Sequence, residues 1–93
     1  MTFAIYWKPE AEEQLASVWM AAPDRNAMTR NAFYIELVLE VFANTAGELS
    51  FDTVRVFTRE SLTVEFEVDD VYRTVLVLSV WNTAAGRPDV TGN

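Results

Sequence analysis

The chain has 93 residues, 51% of them hydrophobic and 23% charged, the balance of one compact domain with a single core. It contains no cysteine and no histidine, which excludes disulfide frameworks, thiolate or imidazole metal sites and every histidine-dependent triad. Fourteen acidic residues against seven basic ones leave a formal charge of −7, a field that repels phosphate backbones and anionic membranes and favours a basic partner.

Residues 2–7 (TFAIYW) are β-branched and aromatic and predict a first strand, ended by Lys8 and Pro9. The opening apolar stretch is too short for a signal peptide and no run reaches the length of a membrane span, so a cytoplasmic location is expected. Pro9 suits the first turn of a helix, and Glu10, Glu12 and Glu13 suit its positive end. Ala11, Leu15, Val18, Trp19 and Ala22 follow at helical spacing as a buried stripe, and Pro23 stops the helix.

Asp24 is a good N-cap for a second helix running to about Ala43, with Asn44 and Gly47 as its stop signals. Met28, Ala32, Ile35, Leu39 and Phe42 form its expected core stripe. Phe33, Tyr34, Leu37, Val38 and Val41 are left over and widen the apolar surface beyond one stripe. A second chain, either a partner or another copy, would bury that surplus, so these five are the candidate partner-binding residues.

Residues 48–52 read as a loop. Three strand-like runs follow: residues 53–59 (TVRVFTR), 62–68 (LTVEFEV) and 72–81 (YRTVLVLSVW), joined by short turns that favour antiparallel hairpins. The last is nearly continuous in apolar residues, as in a central strand. The expected fold is α+β, a helical hairpin packed on a mostly antiparallel four-stranded sheet in the order β-α-α-β-β-β. Residues 1–82 form the single domain, and residues 83–93 are expected to be a flexible C-terminal tail.

The run 62–70 alternates apolar and polar side chains, placing Thr63, Glu65 and Glu67 together on one face. Glu65, Glu67 and Asp69 resemble a hard-cation ladder, but with no further ligand cluster a solvated strand face is the better reading. No metal or other cofactor is expected. Arg55, Arg59 and Arg73 lie on different parts of the sheet, either converging on an anion or pairing across strands with Glu65, Glu67 or Asp70. Arg25 is read as a local helix-start residue, and Trp7, Trp19 and Trp81 as core.

In this length, that order resembles the RelE/ParE family of bacterial toxins from toxin–antitoxin systems. The stretch YWKPEAEEQLASVWMAAPDRNAMTRNA resembles the opening of one branch of the family. GELS, Arg55, SLTVEFEV and RTVLVLSVW resemble its C-terminal strands in order and spacing. The likeness spans about residues 3–82. It implies either messenger RNA cleavage, usually on the ribosome, or poisoning of DNA gyrase, with an antitoxin laid across the toxin in both cases.

The family's nucleases place lysines and arginines on these strands, and further basic or tyrosine residues near the C-terminus. Here Arg55, Arg59 and Arg73 are the candidate catalytic residues. The place of the nucleases' arginine on the 62–68 run falls on Thr63, beside Glu65 and Glu67, and no basic residue follows Trp81 until Arg87. Carboxylates act in the wrong direction on a phosphorane. Three readings stay open: a toxin-family protein working through contacts with an antitoxin or gyrase, a catalytically silent module that self-associates or binds a basic partner, and a divergent mRNA interferase. None requires a membrane or strong binding to free nucleic acid.

Overall fold

The computed structural model describes residues 2–88. Seven elements follow one another: β1 Ala4–Trp7, α1 Pro9–Ala21, α2 Arg25–Phe42, β2 Glu48–Phe51, β3 Val54–Arg59, β4 Leu62–Asp69 and β5 Thr74–Asn82. The sheet runs β1-β5-β4-β3-β2, with β1 parallel to β5 and every other pair antiparallel. The α+β class and the helical hairpin are as expected. The sheet, however, has five strands, not four, because Glu48–Phe51 pairs with β3 at the edge. All four of its side chains are exposed, so no alternation of burial marks it in the sequence.

Alternation along β4 builds the core. Leu62, Val64 and Phe66 face the helices and meet Val80 and Val77 of β5. Ala11 of α1 and Met28, Ile35 and Leu39 of α2 close over them, all buried. A β-bulge between Glu65 and Phe66 skips Leu78 on β5, so Val77 and Val80 both reach the core side. Phe42 was expected in this stripe but ends α2 57% exposed, and the fully buried Ala43 takes the core place.

β1 covers the edge of β5 only as far as Val77. Beyond that, α1 takes over: the Gln14 side-chain carbonyl accepts a hydrogen bond from the backbone N–H of Val80 at 2.9 Å. A side chain thus replaces the missing strand and satisfies a donor that burial would otherwise orphan.

The corner between the helices is held locally. Asp24 Oδ1 accepts from Ala27 N at 3.0 Å, and Arg25 donates to the Met20 carbonyl at 3.1 Å while lying over the Trp19 ring. Trp19 Nε1 donates to Thr29 Oγ1 and Trp7 Nε1 to Glu36 Oε2, so each indole satisfies its N–H across to α2. Tight turns put Asp52 and Glu60 at positive φ, as two-residue hairpin connections require of at least one residue. Among the described residues, no helix is long and apolar enough to cross a membrane.

Candidate functional site

Strand register decides what each candidate arginine faces. Arg55 pairs opposite Phe66 and Arg59 opposite Leu62, so both point to the helix side of the sheet and away from Glu65 and Glu67. Arg55 Nε donates to the Ala46 carbonyl at 2.8 Å and its Nη2 to the Gly47 carbonyl at 3.2 Å, capping the turn after α2. The guanidinium of Arg59 lies 3.9 Å from the centre of the Tyr34 ring. Arg73 sits at positive φ before β5, over the Phe3 ring, with Asp70 at 3.7 Å. The three do not converge. Among the described residues, Arg55 and Arg59 form none of the expected cross-strand pairs with Glu65 or Glu67, and the contact of Arg73 with Asp70 is local.

The opposite face of the sheet carries Thr58, Thr63, Glu65, Glu67 and Trp81. Thr63 is buried in a chain of hydroxyls, 2.8 Å from Thr58 Oγ1 and 2.8 Å from Thr83 Oγ1. Glu65 is 7% exposed and bonded to Arg87 Nη2 at 2.8 Å. That hydrogen bond, opposed by partial burial and helped by the charge of Glu65, raises the pKa of Arg87 above its ordinary range. The same guanidinium lies 4.8 Å from the centre of the Trp81 ring. Trp81, expected in the core, is instead buried on this second face: the bulge at Leu78 leaves it level with Thr63, away from the helices.

The segment after β5 therefore folds back. Thr83 N donates to the Ser61 carbonyl at 2.9 Å, and Arg87 reaches across to β4. Of the expected tail, residues 83–88 make these contacts, and residues 89–93 lie outside the described residues. Nothing in the sequence flagged Arg87, because an ion pair across more than twenty residues has no local signature.

Each carboxylate of the β4 ladder has its own duty. Glu67 accepts from Thr53 Oγ1 at 2.9 Å, and Asp69 Oδ1 from the backbone N–H groups of Val71 and Tyr72. Among the described residues, no three acidic side chains gather as a metal site would need.

On α2, Phe33 (63%), Tyr34 (42%), Leu37 (47%) and Val41 (50%) are exposed along one stripe. Val38 does not join them; it packs against the core, while Phe42 is exposed at the end of the helix. A second apolar cleft, between the helices, is lined by Trp7, Leu15, Trp19, Met28 and Ala32, with Glu12 and Glu36 among its walls.

No protein-family model matches the sequence, and neither does any curated protein. Solved structures do match the fold. The RelBE2 toxin–antitoxin complex from Mycobacterium tuberculosis aligns with a TM-score of 0.65 at 15% identity, over 88% of this chain and 92% of that one. The chromosomal ParDE toxin–antitoxin system from P. aeruginosa gives 0.63 at 14% identity, over 86% and 95%. The isolated E. coli RelE toxin gives 0.64 at 17% identity, over 96% and 90%. The chain has a RelE/ParE-like fold, as its sequence resemblance implied.

Proposed function

We propose that this protein is a toxin-family member of a toxin–antitoxin system that acts through protein contacts and not by cutting RNA. The observation that carries this reading is the placement of charge. On the sheet face bearing Thr63, the position of the nucleases' arginine, stand a threonine hydroxyl chain and a carboxylate neutralised by the chain's own Arg87. Arg55 and Arg59 lie on the other face and already hold carbonyls and an aromatic ring. A scissile phosphate on the Thr63 face would meet hydroxyls and a carboxylate where its transition state needs free cations.

The exposed apolar stripe of α2 supports the partner half of the reading. Phe33, Leu37 and Val41 recur every four residues, the spacing at which a helix presents anchors to a docked segment. The partner is an antitoxin-like protein encoded beside this chain, in keeping with the toxin–antitoxin complexes that share the fold. Gyrase is the target that fits a toxin without a nuclease site.

Co-expression with the product of an adjacent small reading frame tests the proposal. A stable complex is expected, and Leu37→Glu should weaken it by at least about tenfold, with the circular dichroism spectrum unchanged. Induced expression without that product should arrest growth. Efficient cleavage of ribosome-bound mRNA by the purified chain, abolished in Arg55→Ala or Arg73→Ala, would overturn the reading in favour of an mRNA interferase.

A further inference from the structure

Between the first turns of α2 and the β3–β4 hairpin lies a cleft of about 370 Å³, whose walls include Arg30, Asn31, Tyr34, Leu37, Arg59 and Glu60. Its charges are unusual for so acidic a chain. Acids outnumber bases two to one, yet neither Arg30 nor Arg59 has an ion pair among the described residues. Stacking on Tyr34 shields the Nε of Arg59 from water, and that donor has no acceptor. Asn31 is only 5% exposed, its side-chain amide makes no hydrogen bond among the described residues, and that amide stays open to solvent at the cleft. Two cations without ion pairs lining one cleft favour an anion there, and the shielded Arg59 Nε costs free energy while it has no acceptor. One anion in the cleft would meet both unpaired charges and the open Asn31 amide.

We infer that this cleft is a carboxylate-binding site for an acidic side chain of a docked polypeptide. Glu60 on the wall leaves the two arginines a net charge of about +1, which suits a monoanion and disfavours a phosphate dianion. A carboxylate matches the guanidinium fork in two parallel hydrogen bonds, and the Asn31 amide adds a donor. The carrier is polypeptide because Leu37 and Tyr34 belong both to the cleft and to the exposed apolar stripe, so an acidic residue flanked by apolar ones satisfies both at once. This deepens the partner reading of α2, but the anion site itself can be tested with no partner present.

The test is an NMR titration of the full chain, observing the Arg59 Nε–H and the Asn31 side-chain amide. The probes are acetate, inorganic phosphate at mildly alkaline pH and two blocked tripeptides, acetyl-Leu-Glu-Leu-amide and acetyl-Leu-Gln-Leu-amide, at ionic strength matched with chloride. Saturable shifts are expected with acetate, and tighter ones by at least about tenfold with the Glu tripeptide, which the Gln tripeptide does not reproduce. Arg30→Met, at a solvent-exposed helix position, should weaken both by about fivefold or more without affecting the fold. Acetate shifts no larger than those of chloride would overturn the site. Tighter binding of phosphate would overturn the carboxylate assignment, and equal binding of acetate and the Glu tripeptide the polypeptide source. None of these results depends on an adjacent gene product, so failure here is distinct from failure to capture an antitoxin.

Discussion

Gly47 occupies a turn in which a side chain has no room. Its φ is +63°, and a Cβ built there would stand 1.9 Å from the Val56 carbonyl oxygen, a backbone atom that cannot yield. Its own carbonyl accepts from Arg55, so the turn is fixed from both sides. Gly47→Ala should destabilise the domain by about 2–4 kcal/mol, read as a lower urea midpoint at unchanged slope. An alanine variant of full stability would mean that the turn repacks. At Arg87, the raised pKa sets the sign of a pH effect. So long as Glu65 is ionised, the pair is complete below the ordinary arginine range, and on the alkaline side it is lost only as strong alkali passes the folded value of Arg87. Wild type and Arg87→Met should therefore run parallel between about pH 6 and 10. The offset should be only about 1 kcal/mol, because the arginine is nearly half exposed and screened. Unfolding midpoints that converge within that window would show that another group governs the contact.

Among the elements, β5 shows how a short first strand is made sufficient. Its outer edge is paired by β1 as far as Val77, and Gln14 of α1 answers the donor beyond it at Val80. Gln14→Leu keeps the bulk and removes the acceptor, so it should cost about 1–3 kcal/mol and speed hydrogen exchange at the Val80 amide. Gln14→Glu retains an acceptor and should behave closer to wild type; equal losses in the two variants would mean that packing, and not the hydrogen bond, is what Gln14 supplies. In α2, the period-3.6 pattern identified Met28, Ile35 and Leu39 as buried, and they are. It could not separate Val38, which packs against the core, from Leu37, which is exposed, because both fall within the wide apolar arc. Only the line of contact with the sheet divides that arc.

Over the whole molecule, the excess of acid is distributed with purpose at few points. Glu65 takes Arg87, Glu36 takes Trp7, Asp70 takes Arg73, and the remaining field is the net −7. Such a field opposes counterion-release binding, so duplex DNA and single-stranded RNA should show no dissociation constant tighter than about 100 μM even at low salt. Measurable retention on either, weakening steeply with added salt, would contradict this and point to a cationic surface formed elsewhere.

Much of this fold could be read without coordinates, since it rests on local chemistry. Strand alternation in LTVEFEV, helical spacing around Ile35, the Asp24 cap and the two-residue turns each depend on neighbours a few positions apart. The edge strand Glu48–Phe51 could not, because exposed side chains carry no period. The arrangement of charge depended wholly on the tertiary fold. Pairing register sent Arg55 and Arg59 to the helix face, a single bulge carried Trp81 to the other, and chain reversal after Asn82 brought Arg87 to Glu65. Side-chain periodicity is a property of one strand, whereas which charges meet is set by the pairing of several, and that pairing is established only when distant segments close on the common core.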